Sequence, residues 1–364
     1  MNLRRCSLWL CASSTLGLAV SVLAKESTAL PDYRPEQQVT GVLRVWGNEH
    51  MSGLLQKWED GFRRQQPGIF FDDRLKGTAS APFGLFENVA DLAAMGRQIF
   101  TYEFYGIYRR SLMLPVGIAV ATGSFDVPHK SFALTVFVHR DNPLNHLTLA
   151  QLDGIYGAQR TGGWQGLGWN RAVARGPEKN IRTWGQLGLT GEWTNRPIHV
   201  YGPPGIYPGG ATFFQTRVMG GADTWAEGLQ EFADRKAMMD ALAHDPLGIA
   251  YTGMCYRTAQ TKPLALAESA GGAFVEPTRE SVASHAYPLS RLVYLYFAPD
   301  QPSGERANPP VDPKVREFLR YILSRQGQED VRREGDYLPL TPELVRAQID
   351  VLEKQANPPI SSRN

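Results

Sequence analysis

The run Val42-Leu43-Arg44-Val45-Trp46 is short and almost wholly apolar, which predicts a buried strand, and Gly47 ends it. Past the turn at 47–52 the apolar period changes: Leu54, Leu55, Trp58 and Phe62 fall on one face of a helix. Pro67-Gly68 stops that helix and Ile69-Phe70-Phe71 begins a second strand. The loop Gly77 to Pro82 leads into a helix reaching about Glu87, and Asp91 to Met95 is a third strand, followed by Gly96-Arg97. Two rounds of strand, loop and helix with a third strand imply an α/β chain whose sheet is parallel and covered by helices. Ligands of such sheets bind beyond the carboxyl ends of the strands, here the loops 47–52, 77–82 and 95–97.

The pattern continues with strands near 115–121 and 132–138 and a helix capped by Thr148, with Leu149, Leu152, Ile155 and Tyr156 inward. Residues 157–196, rich in Gly and Trp, read as a long surface excursion. A helix carrying Phe232, Met238, Met239 and Leu242 precedes the buried strand Gly248 to Thr252, and residues 262–286 read as irregular. Arg291 to Phe297 is the strongest strand pattern in the chain. Val315, Phe318, Leu319, Ile322 and Leu323 mark an amphipathic helix, and Thr341-Pro342 opens the last one.

Composition changes the picture at the amino end. Arg4 and Arg5 precede the apolar run Ser7 to Leu23 and the small-residue site Val22-Leu23-Ala24, which predicts a signal peptide over 1–24 and a periplasmic location. Leu10-Cys11 would allow a lipoprotein, but the residue before such a cysteine should be small. Residues 25–40, with Pro31 and Pro35, read as a flexible lead-in. Residues 1–24 hold two of the 38 basic residues and none of the 36 acidic ones, so the remainder is near neutral, which argues against nucleic acid as a partner. Cys255 alone remains after export, so no disulfide within the mature chain is expected. No H-E-x-x-H, paired-cysteine or G-x-S-x-G motif is present, and neither catalysis nor a metal or cofactor is expected.

Candidate chemistry gathers at Tyr201 to Phe214, YGPPGIYPGGATFF, between the strand-like Pro197 to Val200 and a helix. A glycine-rich loop entering a helix offers close backbone N–H groups and the positive end of a dipole, the physical makings of an anion site.

The ordered set of motifs resembles the PstS-like phosphate-binding family of solute-binding proteins, over roughly 41–355. Leu43 to Phe62 is similar to its opening strand, loop and helix; Gly77-Thr78-Ala79-Ser80 stands at its second loop; Asp91 to Arg97 resembles its D-I-A-x-S-S-R element. Leu147 to Gly157 with Arg182 to Leu187, Leu247 to Tyr256, Tyr287-Pro288-Leu289-Ser290-Arg291 and Tyr337-Leu338-Pro339-Leu340 resemble later motifs. The resemblance implies a two-lobed type II periplasmic-binding-protein fold, each lobe a mainly parallel sheet flanked by helices. Lobe one is expected at 41–125 and 285–355, lobe two at 126–284, and a tail at 356–364. It further implies a monomer that holds phosphate or a related oxyanion between its lobes and serves an ABC permease in the inner membrane. The ligand positions it implies are Asn48, Glu49, His50, Thr78, Ala79, Ser80, Arg97, Gly209, Gly210, Ala211 and Thr212.

Several of these positions depart from the family. Hydroxyls are fewer, Met95-Gly96 replaces two serines, and Pro203 or Pro204 replaces the basic residue that often precedes the Gly-rich loop. Such departures leave room for a module that binds another small organic anion without a transport link. Glu49 could accept the proton of monohydrogen phosphate and so reject sulfate, or could simply be solvated at a helix start. Arg97 could contact the anion or form a structural ion pair. Arg291 more readily anchors structure, and Tyr251 and Thr252 could line the cleft or pack in the core.

Overall fold

The computed structural model describes residues 29–165, 168–204, 209–299 and 311–356. The expected signal peptide, residues 25–28 of the lead-in, residues 205–208 of the Gly-rich loop and the tail past 356 lie outside the described residues. Among the described residues no helix is long and apolar enough to cross a membrane.

Two five-stranded sheets form the body. The first is ordered Ile69–Arg74, Gly41–Gly47, Leu92–Met95, Leu292–Phe297, Val116–Thr122. Its first three strands are parallel, and Leu292–Phe297 is antiparallel to both neighbours, so four strands share a direction and one is reversed. The second is ordered Gln230–Glu231, His199–Gly202, Gly248–Thr252, Thr135–His139, Thr261–Pro263, with Thr135–His139 the reversed strand. The reversed strand belongs in each case to the chain that has just crossed from the other sheet. The α/β two-lobed, mainly parallel expectation therefore holds, with one antiparallel strand inside each sheet.

The apolar pattern explains the layers. In the first lobe Leu43 and Val45 point inward, and helix Ser52–Arg63 lays Leu54, Leu55, Trp58 and Phe62 against Phe318 and Ile322 of helix Pro313–Ile322. Trp58 also donates its indole N–H to the carbonyl of Gly327, 2.9 Å away, so the large ring is buried without stranding its polar atom. In the second lobe Leu152, Tyr156, Trp184, Phe214 and Tyr251 share one core. The excursion 157–196 is tied down there: Trp184 is fully buried, and Asp153 holds Arg160 through two bonds of 2.6 and 2.8 Å.

The lead-in is not flexible over its described part, a correction to the expectation. Tyr33 and Val39 are buried in the first core. The Tyr33 hydroxyl donates to Glu317 at 2.7 Å, Arg325 N–H donates to the carbonyl of Pro31, and Val39 N–H donates to Gln66. Glu317 is wholly buried, and a buried carboxylate requires such donors.

Two crossovers join the lobes and run side by side: Gly123 N–H bonds Arg291 O at 2.9 Å and Leu134 N–H bonds Leu289 O at 3.1 Å. His129, Ser131 and His285 in these crossovers have left-handed backbone, with φ of 65°, 54° and 59°. Such conformations cost energy and persist where surrounding structure enforces them.

Tyr33→Ala is expected to lower unfolding stability by about 3–5 kcal/mol, read from urea denaturation. An unchanged midpoint would mean that residues 29–40 do not belong to the folded core.

Candidate functional site

The loops at the carboxyl ends of the first sheet's strands face the cleft between lobes. Gly47, with φ +151°, is required there: a Cβ would lie 2.1 Å from the carbonyl oxygen of Ala94, which instead accepts the N–H of Asn48. Asn48 is buried and its Oδ1 accepts the N–H of His50 at 2.9 Å. Glu49 then turns outward, 53% exposed, with a carboxylate oxygen 3.9 Å from His50 Nε2. His50 stacks on His129 with centroids 5.4 Å apart. In the second loop Ser80 gives its hydroxyl to Gly77 O at 2.8 Å, Thr78 is half-buried and Ala79 is exposed.

Arg97 is buried, and Glu103 answers its charge: both terminal nitrogens reach that carboxylate at 2.8 Å, a third bond goes to Gln98 O, and the guanidinium lies 3.5 Å above Phe100. Glu103 also accepts the N–H of Phe100 at 2.7 Å, capping helix Thr101–Ser111. The structural ion pair is thus the arrangement present. Gly96 shows where the expected serines went. A Cβ there would meet Ser131 Oγ at 2.3 Å and Asn48 Nδ2 at 2.8 Å, so polar groups from the crossover and the first loop already occupy the space of a side chain at 96.

On the opposite lobe, Gly209, with φ +97°, leads into helix Gly210–Val218. Phe213 N–H is the first to find an intrahelical carbonyl, that of Gly209 at 3.0 Å, which leaves the N–H groups of Gly210, Ala211 and Thr212 for something else. Arg235, at the start of helix Arg235–Leu242, reaches this point: its Nη2 lies 3.7 Å from where a Cβ on Gly210 would sit, and its guanidinium is 5.5 Å from the Phe132 ring. Beside it Tyr251 stacks on Phe214 at 4.0 Å, and its buried hydroxyl has no hydrogen-bond partner; Thr252 Oγ1 is likewise buried without one. Burial raises the Tyr251 hydroxyl well above its ordinary range, and the charge of Arg235 works against that.

Arg291 connects the two faces. It is 6% exposed, donates Nη2–H to Gly96 O at 2.9 Å and sits 5.3 Å from the Phe213 ring. Burial first, and then the positive charge of Arg235, push its pKa down to about 10. Among the described residues no carboxylate forms an ion pair with Arg291 or Arg235. A cavity of about 1410 Å³ opens beside Arg291, between Arg97, Phe100 and Tyr294 on one side and Trp164, Thr212 and Phe213 on the other. Arg235 at Gly210, Arg291 against Phe213 and the open N–H groups at the start of the same helix are groups whose chemistry suits a small anion.

The structure therefore brings together Gly209, Gly210, Ala211 and Thr212 and sets Asn48 behind Gly96, while Glu49 faces outward, Arg97 is already paired and Ser80 is bonded within its own turn. Sequence reasoning did not single out Arg235. Its one local signal is a place after Asp234, which caps the helix by accepting Ala237 N–H; its reach to Gly210 depends on tertiary packing. Among the described residues no group of three or more His, Cys, Asp or Glu is disposed to hold a metal ion.

Residues 34–326 match the PBP superfamily domain. Over 334 residues the chain is 30% identical to the phosphate-binding protein PstS of Pseudomonas aeruginosa, covering 92% of this chain and 94% of that one. Its fold is similar to the crystal structure of PstS from Borrelia burgdorferi, with TM-score 0.52, 14% identity and coverage of 82% and 98%. It is also similar to that of an ABC-type phosphate transport receptor from Vibrio cholerae, with TM-score 0.50, 18% identity and coverage of 81% and 99%.

Removing Arg97 leaves Glu103 buried without its counter-charge. Arg97→Ala should therefore cost about 3–5 kcal/mol of stability in urea denaturation; no loss would show the pair to be dispensable. His285 shares a 2.7 Å hydrogen bond with Thr122, and burial lowers its pKa from the ordinary 6.5. As pH falls, the unfolded chain protonates this histidine first, so the folded state loses stability from about pH 6.5 downward until His285 itself takes a proton. His285→Gln should remove that loss, visible as a melting temperature that declines less than the parent's on acidification. Parallel declines would exclude His285 as its source.

Proposed function

This chain belongs to the PstS family of the PBP superfamily, and from that premise we propose that it is an exported, non-catalytic binding protein that captures phosphate between its lobes. It works as a monomer in the periplasm and hands its ligand to an ABC permease in the inner membrane. Lobe one is drawn at 41–125 and 285–355, lobe two at 126–284, and closure about the two crossovers covers the anion. The names of the relatives favour phosphate over a diverged organic anion.

One observation carries the reading: Arg291 is buried in the cleft with a carbonyl as its polar partner and another arginine nearby. Taking a charge out of water is costly unless it is paired and hydrogen-bonded. A phosphate beside Gly210, within reach of the N–H groups at Gly210, Ala211 and Thr212, supplies that partner from solvent. Asn48 and Ser131 then bound the pocket near Gly96, and Thr78, Ala79 and Ser80 form its outer rim. Glu49 and His50 lie at the mouth, and Arg97 holds the first-lobe loop in shape through Glu103.

Calorimetric titration of inorganic phosphate into protein stripped of carried-over ligand should give saturable one-to-one binding, micromolar or tighter. Arg291→Lys keeps a charge but loses the planar fork of donors, and should weaken binding about tenfold or more. Folded protein that takes up no phosphate would overturn the assignment.

A further inference from the structure

Resting on the phosphate reading above, we propose that Arg235 supplies the positive charge missing from the Gly-rich loop, and that with Arg291 it makes a donor-only grip which reads the anion's charge and shape. The ligand class is then the doubly charged tetrahedral oxyanion, sulfate included.

The loop offers no cation of its own at Pro203-Pro204. Arg235 reaches the helix entrance from the following helix, with Nη2 3.7 Å from the Cβ position on Gly210. Arg291 approaches from the crossover and is fixed by Gly96 O and the Phe213 ring. Both guanidiniums stand against the first turn of helix Gly210–Val218, Arg235 at Gly210 and Arg291 at the Phe213 ring, so an anion at that turn meets both charges. The ring of Tyr251, whose buried hydroxyl has no partner, stacks on Phe214 of the same helix.

To prefer monohydrogen phosphate over sulfate, a site must reward the one oxygen that carries a proton, which takes a committed acceptor, best a carboxylate. Among the described residues, the five carboxylates placed near the cleft are each engaged or exposed. Glu103 is taken by Arg97 and by Phe100 N–H. Asp234 caps its own helix through Ala237 N–H at 2.7 Å. Glu49 is over half exposed beside His50, and Asp223 and Glu231 are exposed. The position at 96, whose side chain could have carried such a group, is a glycine with its space filled by Ser131 and Asn48. A site that does not hydrogen-bond a ligand O–H has little with which to reject the analogue that lacks it.

The test is titration of inorganic phosphate and of sodium sulfate into ligand-free protein, in a buffer free of both anions, and the same with Arg235→Gln and Arg235→Lys. The expected result is sulfate affinity within about tenfold of phosphate and full displacement of one by the other. Arg235→Gln should weaken both anions about ten- to a hundredfold, with partial rescue in Arg235→Lys. Lys236→Ala removes an exposed neighbouring charge paired with Asp240 and should change neither affinity. Melting curves establish that each variant is folded. Phosphate binding with sulfate rejected by about 10⁴-fold would overturn the charge-reading proposal and leave the phosphate assignment standing. Unchanged affinities in folded Arg235→Gln would overturn the role of Arg235. Absence of phosphate binding in the parent would instead remove the functional reading on which both rest.

Discussion

The structure turns on the buried charge of Arg291. A guanidinium at 6% exposure carries a large desolvation cost, and one carbonyl hydrogen bond does not offset it. Several other buried ions among the described residues have an opposite charge beside them. Arg97 has Glu103, Arg160 has Asp153, and Glu317 has the Tyr33 hydroxyl and Arg320. Arg291 has no carboxylate partner among the described residues, and it stands where the two crossovers run side by side. On the proposed function an anion from solvent completes this arrangement, and its binding would also stabilise the fold by mass action.

The surrounding fold maintains that imbalance. Gly47 and Gly209 let the backbone take turns that no side chain would allow comfortably, bringing Asn48 and the helix entrance toward the cleft. The reversed strand Leu292–Phe297 begins just after Arg291 and pairs with Leu92–Met95 and Val116–Thr122, so the arginine directly precedes an internal strand of its sheet. Left-handed residues His129, Ser131 and His285 cluster in the two crossovers, where closure of the lobes is expected to bend the chain. The same segment sends Ser131 to the space beside Gly96. On the proposed function, hinge and binding surface share one stretch of backbone, so the position of the anion would bear on the geometry of the crossovers.

Strong apolar periodicity made the sheets and most helices legible. The strands at 42–46, 92–95, 248–252 and 292–297, and the helix bearing Leu54 and Trp58, follow from side-chain spacing alone. Less legible were elements held by polar burial. Helix Arg325–Glu334 looks solvated by composition, yet Gln328 is wholly buried, donating to Val120 O and Ile322 O and accepting Leu340 N–H. The lead-in looked free because Tyr33 and Val39 are isolated in a polar stretch, and their partners lie hundreds of residues away or across the core. Near the cleft, glycine spacing between strand and helix is a local signal, and it singles out the loops at the strand ends and the start of helix Gly210–Val218. Sequence reasoning did not locate Arg235, since a side chain that reaches from one helix to the entrance of another leaves no local pattern. Nor did it decide Arg97, whose partner Glu103 lies six residues on, in a helix that carries no clean apolar stripe.

The most direct measurement is a crystal structure of the chain grown with phosphate. The expected result is one anion between the lobes, within hydrogen-bonding distance of Arg291 and of the N–H groups opening helix Gly210–Val218, with the Arg97–Glu103 pair intact. A phosphate bound elsewhere, with Arg291 still facing Gly96 O and no anion, would contradict the view that this buried charge exists to be completed by the ligand.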